Sequence, residues 1–127
     1  MFTHIVVGTN DIDASKRFYD ALFRATGGSE GTIDPKGRVV YRKDGYSLLV
    51  TKPINGQPAT FANGGTIGFA LADPATVDAW HAAGVANGGT TAENPPGIRE
   101  MGPRKLYLAY LRDPAGNKLC GSSHAAS

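Results

Sequence analysis

The sequence holds one cysteine, Cys120, among 127 residues. A lone cysteine forms no intrachain disulfide, so nothing here asks for an oxidising compartment. No apolar run approaches the roughly 18 residues of a membrane span, which argues against a membrane partner. The opening stretch MFTHIVVGTND lacks the basic region and long apolar core of a secretory signal, so a cytoplasmic location is expected. Basic residues form no block. The 13 Lys and Arg stand among 11 Asp and Glu for a net charge of +2, whereas phosphate binding needs a concentrated basic stripe. Nucleic acid is therefore not an expected partner.

What the chain does have is an ordinary globular composition, 41% hydrophobic and 19% charged, with 17 glycines to supply turns. Its length suits one domain with a proper core. The segment HIVVGTND reads as a strand, rich in β-branched residues. In IDASKRFYDALFRA the period changes: Ala14, Phe18, Ala21, Leu22 and Ala25 recur at helical spacing, Asp11 is placed to cap, and Gly27-Gly28 ends the helix. The same pattern returns in TIGFALADPATVDAWHAAGV. Here Asp73 caps, Pro74 takes the first helical position, and Val77, Trp80 and Gly84 form the buried stripe.

The two stretches align without a gap. His4 matches Thr66, Ile5 matches Ile67, Val7 matches Phe69, Asp11 matches Asp73 and Phe18 matches Trp80, at a constant offset of 62 residues. This points to an internal duplication. Short strands follow each helix, predicted over 28–34, 37–43 and 46–52 in the first half and over 89–93, 105–112 and 117–122 in the second. Each half is thus β-α-β-β-β. The single domain divides into a module over 1–52, a Pro/Gly/Asn-rich linker over 53–64 and a second module over 65–124. Strand alternation puts Ile5, Val7, Ile67, Phe69 and Leu71 beneath the helices, and His4, Val6, Gly8, Thr66, Gly68 and Ala70 on the other face. That second face carries small groups, leaving the volume a ligand cleft needs.

A paired βαβββ unit that opens HIVVGTNDIDASKRFYDALF and closes YLAYLRDPAGNKL resembles the vicinal oxygen chelate superfamily. That group includes glyoxalase I, extradiol dioxygenases, and the fosfomycin and bleomycin resistance proteins. The resemblance implies an α+β fold, two βαβββ modules forming a curved mixed sheet around a cleft, and a homodimer, sometimes with modules exchanged between chains. It also implies four metal-ligand positions on the concave face, which fall on His4, Leu49, Thr66 and Cys120. Leu49 has no donor atom and Thr66 offers only a neutral hydroxyl, whereas a catalytic zinc takes about three protein ligands. His124 lies four residues past Cys120, roughly 13 Å along a strand at about 3.3 Å per residue, and His81 belongs to the helix on the far side. No metal or other cofactor is expected; a divalent ion weakly held by His4 and Cys120 is the alternative.

Three readings of function follow. The first is a metal-independent protein that binds a small molecule in its concave cleft. The second is a glyoxalase-like lyase, or a related enzyme with an altered centre, in which His4 serves as base and Cys120 as nucleophile. The third is a structural or interaction protein with a vestigial cleft. For a ligand the residues singled out are Arg99 and Arg104, on a polar loop ENPPGIREMGPRK expected at the cleft rim, and Tyr107 and Tyr110. These tyrosines, three apart in a strand, face opposite ways, so one of them enters the cleft. Lys16 and Asp20 read as an ordinary i,i+4 surface pair worth a few tenths of a kcal/mol.

Overall fold

The structure is a computed structural model that describes residues 1–125. The first half runs β1 (His4–Gly8), α1 (Ile12–Ala25), β2 (Thr32–Ile33), β3 (Val39–Lys43) and β4 (Tyr46–Thr51). The second runs β5 (Ile67–Ala70), α2 (Pro74–Ala86), β6 (Thr90–Met101), β7 (Arg104–Arg112) and β8 (Lys118–His124). Each half forms a four-stranded mixed sheet, in the orders β1-β4-β3-β2 and β5-β8-β7-β6. In each sheet the first strand lies parallel to the last and the remaining pairs are antiparallel. Ile5 pairs with Leu48, and Ile67 with Leu119, so Leu49 and Cys120 hold matching places in the two sheets.

Local chemistry starts both helices where the sequence places them. The Asp11 carboxylate accepts from Ala14 N at 3.0 Å, and that of Asp73 from Thr76 N at 2.8 Å, each satisfying an otherwise unpaired amide of the first turn. Both helices pack on the convex faces of the sheets and on each other. The core between them joins Val7, Phe18, Tyr19, Leu22, Tyr41 and Val50 of the first half with Val77, Trp80, Ala109, Leu111 and Leu119 of the second. No helix among the described residues is long and apolar enough to cross a membrane.

A buried carboxylate fastens the two halves. Asp113, 4% exposed, accepts from the Tyr19 hydroxyl at 2.6 Å and from Asn117 Nδ2, Asn117 N and Ala115 N, each at 2.9 Å. Asn117 Nδ2 also donates to Gly8 O at 3.0 Å, so the turn after β7 reaches both α1 and the end of β1. Gly116, at φ 93°, supplies the left-handed residue that closes this turn.

Two segments differ from the sequence reading. The polar stretch over 93–105 is not a rim loop: β6 continues through it to Met101, and a tight turn at Gly102 leads directly into β7. The ladder slips between Ala92 and Gly97, and this bulge absorbs Pro95 and Pro96, which have no amide hydrogen to donate. Asp20 is also no surface residue. It is 8% exposed and accepts from Lys16 Nζ at 2.7 Å, the Tyr41 hydroxyl at 2.8 Å and Gly31 N at 2.9 Å. Burial alone would raise its pKa, yet the bonds from Lys16, Gly31 and Tyr41 together hold it below the usual carboxylate value.

Candidate functional site on the concave face

The strand registers place one side chain row beside another on the face turned away from the helices. In the second sheet, Leu106, Leu108, Tyr110 and Arg112 of β7 stand opposite His124, Ser122, Cys120 and Lys118 of β8. Gly68 and Ala70 of β5 flank Cys120 and Ser122. On the far side, Gly97 and Arg99 of β6 flank Leu108 and Leu106. On the β5 side the floor is made of small groups, Gly68, Ala70 and Ser122, and a Cβ built on Gly68 would meet nothing within 4 Å. Next to it, at the β5 edge of the sheet, opens a cavity of about 410 Å³, lined by Gly68, Ala70, Leu106, Ser122, Arg104 and His124 and also by Phe69, Leu71 and Ser123 of the helix-side set.

The bulge in β6 sets the edge of this face. Glu93 sits there at φ 56°, in the left-handed region that a non-glycine residue adopts only when its surroundings hold it. Its carboxylate pairs with Lys118, whose ammonium lies 5.0 Å from the centre of the Tyr110 ring. Arg99 Nη2 donates to the carbonyls of Asn94 and Pro95, both at 3.0 Å, so the bulge backbone fixes its guanidinium. Among the described residues neither Arg99 nor Arg104 has a carboxylate partner.

Cys120 is buried, with the Tyr110 side chain across from it. Burial pushes its thiol above the ordinary cysteine value, and the Tyr110 hydroxyl offsets this only in part. Tyr110 is itself raised by burial, by the neighbouring sulfur and by Glu93. His4 stands apart from this pair. It is exposed, its Nδ1 lies 2.8 Å from Thr3 Oγ1, and it lines a separate cavity of about 320 Å³ with Met1, Phe2, Tyr46 and Ser47. Tyr107 is on the helix side, donating to Asp78 of α2 at 2.8 Å, so Tyr110 is the tyrosine that faces the cleft. Arg99, Arg104, Tyr110 and Cys120 thus share one face, while His4 and Tyr107 do not join them. Lys118, Ser122 and His124 also belong to this face; alternation outward from Cys120 was the signal that could have found them.

The family model for the Glyoxalase/Bleomycin resistance protein/Dioxygenase superfamily matches residues 1–120. The chain belongs to that superfamily. A crystal structure of a glyoxalase/bleomycin resistance protein from Albidiferax ferrireducens T118 is 52% identical and superposes with a TM-score of 0.92, covering 99% of each chain. A glyoxalase-related enzyme from Fulvimarina pelagi is 21% identical, with a TM-score of 0.72 over 96% of this chain and 86% of its own. A lactoylglutathione lyase from Agrobacterium tumefaciens is 24% identical, with a TM-score of 0.63 over 96% of this chain and 92% of its own. The last two share the fold. No curated protein matches the sequence.

The superfamily's metal chemistry has a poor seat in this chain. At the four corresponding positions, Leu49 offers no donor, Thr66 a neutral hydroxyl, His4 an imidazole and Cys120 a thiol that burial keeps protonated. Among the described residues no three His, Cys, Asp or Glu side chains come together to hold an ion. Two donors at the four positions do not fit a divalent metal, which takes about three or four protein ligands.

Proposed function

We propose that this protein binds a small molecule on the concave face of its second sheet, without a divalent metal, and does so in the cytoplasm as a homodimer. The observation that carries the reading is the 410 Å³ cavity beside a floor of Gly68, Ala70 and Ser122, with Arg104 and His124 at its mouth. Its volume lies within the range of about 300–1,000 Å³ typical of ligand pockets. The deficient donor set supports the metal-free part. The reading as a lyase with a His4–Cys120 centre has less behind it, because the imidazole is engaged by Thr3 and the thiol is protonated. The printed names of the relatives include a resistance protein, a glyoxalase-related enzyme and a lyase, and so do not decide between the readings. For the dimer, exposed Val6, Ile98 and Met101 provide apolar surface that a second copy would cover.

A thermal-shift screen of small molecules, run on protein whose metal content has been measured, tests this directly. The expected result is at least one stabilising compound at sub-stoichiometric metal, with no loss of its effect after chelation. Stoichiometric zinc, iron or manganese would overturn the metal-free reading, and a screen without any stabilising compound would favour a vestigial cleft. Light scattering at micromolar concentration tests the dimer.

A further inference from the structure

We infer that the ligand of this face is a small organic carboxylate, captured by the unpaired guanidiniums of Arg99 and Arg104 at one end of the small-residue floor. The inference rests on the binding role proposed above and names the chemistry of what is bound. Its basis is the distribution of charge. The chain as a whole is close to balanced, but this face is not: among the described residues Arg99, Arg104, Arg112 and Lys118 face it with a single carboxylate, Glu93. Glu93 is already paired with Lys118, and Arg112 is occupied by Gly116 O at 2.7 Å and by the Phe61 ring at 5.1 Å from its centre. The positive charge left over belongs to Arg99 and Arg104.

These two come from adjacent strands of one hairpin and lie on the same face, Arg99 opposite Leu106 and Arg104 opposite Met101. Arg104 lines the cavity itself. Arg99 closes the row that runs through Leu106 to His124 on the cavity wall. A guanidinium cannot lose its proton, so half-buried Arg99 without a counter-ion is an incomplete arrangement that an anion completes, and exposed Arg104 at the cavity mouth adds a second positive charge. Arg99 is also preorganised: two carbonyls hold Nη2, leaving Nε and Nη1 for single charge-assisted bonds to an anion. Ser122 and Tyr110 add neutral hydroxyls beside the floor, and Gly68 and Ala70 leave room for a flat scaffold.

The test pairs acids with their neutral amides: benzoate with benzamide, phenylacetate with phenylacetamide, and succinate with succinamide, alongside phenyl phosphate. Stability and binding heat are measured for the wild type, Arg99→Gln, Arg104→Gln and, as a control off this face, Arg17→Gln. The expected result is that at least one carboxylate stabilises the protein while its amide does not. Arg99→Gln and Arg104→Gln should each weaken that acid by about tenfold or more, the scale of a lost charge-assisted bond; Arg104→Gln should leave the melting of the free protein unchanged, while Arg99→Gln, which loses two bonds to the bulge, should lower it slightly. Arg17→Gln should bind as the wild type, and added salt should weaken binding. The inference is overturned if amides match their acids, if either Gln variant binds the acid normally, if phenyl phosphate alone binds, or if no acid binds. When neutral compounds bind and protect Cys120 from alkylation, the binding role survives without the anion; when nothing binds, both fail together.

Discussion

Replacing Tyr19 by phenylalanine removes a single hydroxyl, and the structure indicates how much that hydroxyl contributes. Tyr19 is 0% exposed and its bond to Asp113 is 2.6 Å long, joining groups 94 residues apart in the chain. Neither partner is near solvent, so no discount for screening applies. A hydrogen bond to a charged group contributes about 1.5–3 kcal/mol, and the carboxylate left behind keeps three of its four donors. The expected loss is therefore about 2 kcal/mol, not the larger penalty of an orphaned charge. At about 2.1 cal/mol/K of unfolding entropy per residue, a chain of this size melts about 7 °C lower. Asp113→Ala should cost more, about 3–5 kcal/mol, since it leaves Tyr19, Asn117 and a turn amide without their acceptor. Tyr46→Phe, at a hydroxyl on a 58% exposed residue, is the control and should change little. Denaturant melts of the three variants, with a double-mutant cycle for the first two, check the reasoning. If Tyr19→Phe melts within about 2 °C of wild type, the Tyr19–Asp113 bond does not fasten the two halves.

The other predictions concern pH, close packing and the thiol. Burial, with Asp113 beside the one and Asp20 beside the other, raises the pKa of both Tyr19 and Tyr41 above the ordinary tyrosine value. The unfolded chain loses these protons near pH 10 while the folded one keeps them, so stability is complete below pH 10 and falls above it. The slope is about 1.4 kcal/mol per pH unit for each tyrosine, and alkaline melts of Tyr41→Phe should show a shallower decline than wild type. A Cβ on Gly89 would lie 2.9 Å from the backbone oxygens of both Arg112 and Gly84, which cannot retreat. Gly89→Ala should thus cost about 2–3 kcal/mol in urea melts, more than Gly84→Ala, whose closest clash is with the flexible end of Leu111. Cys120, protonated and buried, should react with a thiol reagent at pH 8 more slowly than free cysteine; a faster rate would revive the nucleophile reading.

The framework of the fold was legible because its signals are local and repeated. Asp11 and Asp73 cap, Pro74 opens a helix, and the strand–helix pattern recurs at one offset, so each half reinforces the assignment of the other. The equivalence of Leu49 with Cys120 was implied by the family resemblance and not by the alignment of the two halves, and the registers place both at the same level of their sheets. What stayed hidden depends on residues far apart. Asp20, four residues from Lys16, has the sequence of a surface pair; its burial comes from Tyr41 and Gly31, which the helix pattern does not mention. Pro95-Pro96 looked like the end of a strand, because proline interrupts a ladder, and nothing local announces that a bulge will carry the ladder past it. That one structural fact turns a supposed rim loop into the strand that holds Arg99 over the sheet.

The bulge also explains why the two halves differ in what they offer a ligand. Duplication supplies each half with the same scaffold, and a centre shared between them would use equivalent positions from both. In the first half those positions hold Leu49 and Val40, apolar and buried, beside a β2 of two residues that carries no bulge. In the second they hold Cys120 beside Tyr110, with β6 extended to twelve residues and bent so that its carbonyls grip Arg99. A centre shared between the halves needs donors from both, and Leu49 of the first half offers none. Recognition by one sheet needs only a floor, a cavity and anchoring charges, all of which the second half has. The asymmetry therefore bears on function in a definite way. Substitutions at Arg99, Arg104 or Tyr110 should alter ligand binding, while Leu49→Ala should alter stability, by about 2–5 kcal/mol, and leave ligand affinity where it was.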